Sequence, residues 1–177
     1  MSESLPQPHV AATSPLGKAI EWACMIMAVV GGVLFLAEAL MSVISVLGRS
    51  VLSKPVLGDY ELVQLLSATS IVMCLPYCQL RRGHVFVDFF TLWAPERLKK
   101  LFDALACVVL AAVSFLLAWR CWLGMQDMIE YQESSMVLGL PIWWGYVPMT
   151  PAFILLGITC LMTMMQDLRA SAVGVQA

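Results

Sequence analysis

The sequence predicts an all-α integral membrane protein with four transmembrane helices, both termini in the cytoplasm and a short interfacial segment between helices 2 and 3. Three observations predict it. Of the 177 residues, 60% are hydrophobic and only 12% charged, with a mean hydropathy of +0.84, against about 45–50% and 25% in an ordinary soluble domain. Four apolar runs are long enough to cross the hydrocarbon, which takes roughly 20 helical residues. Lys and Arg also fall unevenly on the connections between those runs. The composition excludes a soluble globule and a disordered chain. A net charge of −2 leaves no basic face for phosphates, so no nucleic-acid partner is expected.

The elements follow in order. Residues 1–18 are a polar tail with Pro6, Pro8 and Pro15. They lack the basic segment of a signal peptide, so a retained tail and an uncleaved first helix are expected. Ser14-Pro15 supplies a cap and a first helical position. The first span is Ala19–Leu47, too long to stand upright within the hydrocarbon, so it should tilt or overshoot. The second is Asp59–Gln79, the third Leu101–Leu123 and the fourth Trp143–Met165, with residues 166–177 as a second tail. Together the spans make one membrane domain over 19–165. The remainder is too small for a soluble domain, so any soluble activity belongs to another chain.

Orientation comes from the cations. With both tails inside, that side holds Lys18, Arg81, Arg82, Arg97, Lys99, Lys100 and Arg169, leaving Arg49, Lys54 and Arg120 for the other. This is the positive-inside asymmetry. Trp22, Tyr60, Tyr77, Trp93, Trp119, Trp122, Trp143, Trp144 and Tyr146 fall near the span ends, as interfacial aromatics do.

On the third span Ala104, Cys107, Ala111, Ser114, Ala118 and Cys121 recur at helical spacing. Such a seam of small side chains lets membrane helices approach closely. Packing within the chain is the ordinary reading, and a docking face for another subunit the sharper one.

Glu38 is the outstanding charge inside a span. A carboxylate there costs several kcal/mol unless paired, protonated or hydrated. Counting along the helices puts Arg120 at a similar depth, so Glu38 and Arg120 form a candidate intramembrane ion pair. The alternative makes Glu38 the proton carrier of a self-sufficient small proton-coupled exporter. Asp59 and Glu61 open the second span, where the helix dipole favours acids; Glu61 could instead face another helix as an interface residue. Asp127, Glu130 and Glu133 make the third connection acidic.

The six cysteines point to packing rather than chemistry. Cys74-Leu-Pro-Tyr-Cys78 is not a redox pair, and no outer-loop pair suits a membrane thiol enzyme. Zinc wants clustered ligands, and His9 and His84 lie outside the spans, where they make no intramembrane haem pair. No catalytic, substrate-binding or metal-ligating residue, and no cofactor, is expected.

The connection after the second span is the richest stretch: Arg81-Arg82-Gly83-His84-Val85-Phe86-Val87-Asp88, then an apolar run to Trp93 and Pro95. Two cations suit a helix C-terminus and lipid headgroups, Gly83 permits a turn, and Val85–Trp93 suits a helix lying in the interface. With Gly48-Arg49, Asp59-Tyr60-Glu61-Leu62, Gln132-Glu133-Ser134-Ser135, Leu140-Pro141 and Tyr146-Val147-Pro148, this pattern resembles the small membrane subunit of tripartite ATP-independent periplasmic (TRAP) transporters, the DctQ family. The likeness covers about Ala19–Met165. Cys74-Leu-Pro-Tyr-Cys78 departs from it, where small residues would be expected.

The resemblance implies a multi-pass protein of the bacterial inner membrane, a non-enzymatic part of a secondary transporter. Its implied partners are a large DctM-like membrane subunit, a periplasmic substrate-binding protein and membrane phospholipids. The large subunit would move as an elevator for sodium-coupled organic acid uptake while this chain acts as a fixed scaffold. Arg81, Arg82, Gly83, His84 and Asp88 would then stand at a junction with the large subunit or with lipid.

Overall fold

The computed structural model describes residues 15–52, 57–81 and 96–173, with side chains over 17–51, 57–81 and 105–165. It contains four long helices: α1 (Pro15–Leu52), α2 (Asp59–Leu80), α3 (Glu96–Glu130) and α4 (Trp143–Val173). The stretches long and apolar enough to cross a membrane are Gly17–Val51, Asp59–Leu80, Leu105–Glu130 and Trp143–Met165. The all-helical four-span expectation therefore holds.

Helix bounds differ from the apolar runs for a physical reason. Hydropathy reports where the solvent is apolar, whereas a helix continues as long as its backbone bonds are satisfied. Thus α3 continues past Leu123 through Gln126, Asp127 and Glu130, which places Asp127 and Glu130 on a helix rather than in a connection. The 38 residues of α1 reach about 57 Å and the 22 residues of α2 about 33 Å. A hydrocarbon core is roughly 30 Å thick, so α2 fits it and α1 overshoots.

The helices form an open row in the order α1, α2, α4, α3. α1 packs along α2, α2 along α4, and α4 along α3, with α1 reaching α4 only marginally. The flanking helices leave broad apolar faces uncovered, including Val33, Leu36, Leu40 and Ile44 on α1 and Val109, Val113 and Leu116 on α3. Such faces suit lipid, since the helix satisfies its own backbone polar groups and the apolar side chains need no water.

The core runs down the middle of the row: Val72 and Met73 of α2, Ala111 and Ala118 of α3, and Ala152, Phe153, Leu156 and Cys160 of α4. The predicted seam on α3 is an intramolecular contact. Ala111, Ser114 and Ala118 are buried, and Gly157 of α4 lies so close to Phe115 that a Cβ there would meet the ring at 2.8 Å. Three polar core residues, unlike Ser70 whose buried hydroxyl has no partner among the described residues, satisfy their hydroxyls on their own helices: Thr69 donates to Leu65 O (2.8 Å), Ser114 to Leu110 O (2.6 Å) and Thr159 to Leu156 O (2.8 Å). They therefore act as small packing residues at no hydrogen-bonding cost.

Candidate functional site

Four sets of polar side chains stand out, and α1 and α2 carry most of them. α2 begins at Gly58, whose φ of +74° is one that a residue with a Cβ rarely adopts. Its carbonyl accepts the Leu62 N–H at 3.1 Å. The next residue, Asp59, folds back on its own helix, accepting the Tyr60 N–H at 2.8 Å. It also reaches across to α1, accepting from the Ser45 hydroxyl and from Arg49 Nη2 at 3.4 Å. Arg49–Asp59 is the only ion pair among the described residues. The sequence marked Gly48-Arg49 and Asp59 separately; the structure joins them into a clamp where α1 ends and α2 starts.

Glu61, the next acid along, faces the connection after α3. Its carboxylate accepts from the Ser135 hydroxyl, the Val137 N–H (3.0 Å) and the Leu138 N–H (3.3 Å). A carboxylate taking several donors at once pins a loop in one conformation. Leu138 lies against Gly58, where any Cβ would come within 2.4 Å of it. Gly139, at φ +64°, turns the chain back, and Ile142 N donates to Glu133 O at 3.2 Å. Glu61 thus bonds the chain's own loop rather than another helix.

Deeper in, Glu38 is buried, with 8% of its surface exposed. The Ser67 hydroxyl of α2 donates to its Oε1, while Oε2 is buried without a partner. Arg120 is elsewhere: it is exposed on α3, its guanidinium 5.7 Å from the Trp119 ring centroid. The expected Glu38–Arg120 pair is therefore not formed in this fold. Equal depth is not proximity, because α1 and α3 occupy opposite flanks of the row. Ser67 carries no mark in the sequence, because one serine among many gives no signal until the register of α1 on α2 is known.

At the other end of α2, Gln79 Nε2 donates to Thr163 Oγ1 of α4 at 3.3 Å, tying the two central helices. Arg81 folds back over Tyr77, its Nε 3.1 Å from the phenol oxygen and its guanidinium 5.3 Å from the ring centroid. Arg82, Gly83, His84, Asp88 and the expected interfacial segment lie outside the described residues. Among the described residues no group of three or more His, Cys, Asp or Glu side chains could hold a metal ion.

These sets do one kind of work: they hold helices and connections to one another. A protein-family model described as "Tripartite ATP-independent periplasmic transporters, DctQ component" matches residues 38–170. No curated protein and no solved structure matches the chain. The matched region begins at Glu38 and takes in Ser45, Arg49, Asp59, Glu61, Ser67 and Ser135 as well as the basic connection after α2. It covers most of the chain, from the second half of α1 through α2 and α3 and nearly to the end of α4, which makes this an inner-membrane protein and a member of the DctQ family of tripartite ATP-independent periplasmic transporter components.

Proposed function

We propose that this chain is the fixed small subunit that braces a large elevator-type membrane subunit during sodium-coupled uptake of an organic acid, supplied by a periplasmic binding protein. Both termini face the cytoplasm, and the end carrying Asp59 and Glu61 faces the periplasm. The observation that best supports this reading is the placement of Glu38. The intramembrane carboxylate is buried in the α1–α2 contact, where one of its oxygens accepts from Ser67. A carrier needs a carboxylate that alternates between access from one side and from the other; a brace needs one that stays closed.

Reconstitution distinguishes the two. The chain alone in liposomes should give no vectorial solute flux, whereas adding its large membrane subunit and binding protein should give uptake that follows the sodium gradient. Flux through the isolated chain, abolished by Glu38→Gln, would instead establish the small proton-coupled exporter. On the brace reading, Arg81, Arg82, Gly83, His84 and Asp88 form a junction with the large subunit or with phospholipid headgroups. Arg82→Ala and His84→Ala should each lower co-purification with the large subunit; unchanged co-purification and uptake would remove that junction.

A further inference from the structure

A cavity of about 640 Å³ opens on the row between α2 and α3, floored by α4 and roofed by the connection after α3. Its lining changes character along its length. The half-buried part of the lining includes Leu65, Cys121, Tyr146 and Met149, while Glu133 is exposed and so stands at the mouth. Along α2 it runs from Glu61 to Thr69, about 12 Å at helical rise. That is well short of the roughly 30 Å that a transmembrane helix of another protein would need, but it suits a flexible hydrocarbon chain.

The charge at the mouth limits what can be attached to that chain. Glu61 has its oxygens taken by Ser135, Val137 and Leu138. Glu133 is exposed, and no described residue pairs its carboxylate. A headgroup with net negative charge meets like charge at this mouth, whereas an ammonium finds a counter-ion.

We propose that this cavity holds one acyl chain of an amine-headed, zwitterionic phospholipid whose ammonium group sits at Glu133. The lipid wedges the α2–α3 gap that the open row leaves unfilled by protein. It extends the loop built on Glu61 with a ligand that the chain's own residues select.

The test uses the full chain in native membranes and in nanodiscs of equal parts phosphatidylethanolamine and phosphatidylglycerol. A photo-crosslinking residue is placed at Gln64, an exposed residue of the cavity lining whose own side chain is already long. The expected product is a phosphatidylethanolamine adduct, enriched over phosphatidylglycerol by about fivefold, the effect of one charge near a membrane surface. Glu133→Gln should bring that ratio toward one without changing helix content, and Ala68→Phe should remove the co-purifying lipid seen by native mass spectrometry. Equal adducts of the two lipids with Glu133 intact would overturn the proposal, as would a ratio unmoved by Glu133→Gln. An adduct to another protein instead of lipid would overturn it too. None of these readouts depends on transport, so loss of the brace reading would leave them standing.

Discussion

Between α1 and α2 the bonds that cross from helix to helix are polar: Ser67 to Glu38, and Ser45 and Arg49 to Asp59. Between α3 and α4 the described residues place no side-chain hydrogen bond across the contact. There the helices meet through Ala111, Ser114 and Ala118 and through the Gly157–Phe115 approach. One hairpin adds chemistry at named positions to a close approach at Gly31, while the other is fixed by shape along a seam alone. The difference teaches what each is suited to resist. Interhelical hydrogen bonds set register, because a shift of one residue breaks them. Small-residue contact sets distance, since dispersion falls off steeply with separation.

The largest effect expected is one that attacks distance in the polar hairpin. At Gly31 a Cβ would lie 3.0 Å from Ser70 O and from Met73 Cβ, and neither atom can retreat without moving α2. Gly31→Leu should destabilise the chain by about 3 kcal/mol, read as earlier unfolding in mixed micelles. If it unfolds like the unaltered protein, α1 is not seated on α2 as described. Next comes register. Ser67→Ala leaves Glu38 buried with no described donor on either oxygen, a cost of about 1–3 kcal/mol. Combined with Glu38→Gln it should show a coupling of more than about 0.5 kcal/mol in a double-mutant cycle. Exchanging Glu38 and Arg120 should not rescue either single change.

Smaller and more local is Glu61→Gln. It weakens the acceptor for the Val137 and Leu138 amides, so their hydrogen exchange should quicken while the helices keep their protection. The smallest effect belongs to the shape-fixed hairpin. Ser114→Ala removes a hydroxyl that bonds only its own helix, and the change in stability should stay within about 0.5 kcal/mol. A loss as large as that of Ser67→Ala would erase the contrast between the hairpins.

What the sequence could reveal followed the same division. The spans were legible because hydrocarbon thickness imposes a length on apolar runs; α4 begins at Trp143, as read. The α3 seam was legible because contact at fixed distance leaves a periodic trace in Ala111, Ser114 and Ala118. The polar partners were not. Asp59 and Glu61 could be seen to open a helix, but Ser45, Ser67 and Ser135 are partners set by how one helix is rotated and staggered against another. A single sequence records no such rotation. Hence depth alone pairs Glu38 with a cation rather than with the serine it meets, and gives Glu61 no loop.

The open row has a mechanical corollary. Four parallel rods joined edge to edge make a ribbon, and a ribbon is stiff against bending in its own plane but yields readily out of it. With α1 and α3 as its margins, this ribbon would oppose a load directed along its width far better than one pressing on its broad side. Whatever sits beside it in the bilayer would therefore feel a direction-dependent support, firm at the margin and compliant across the flat.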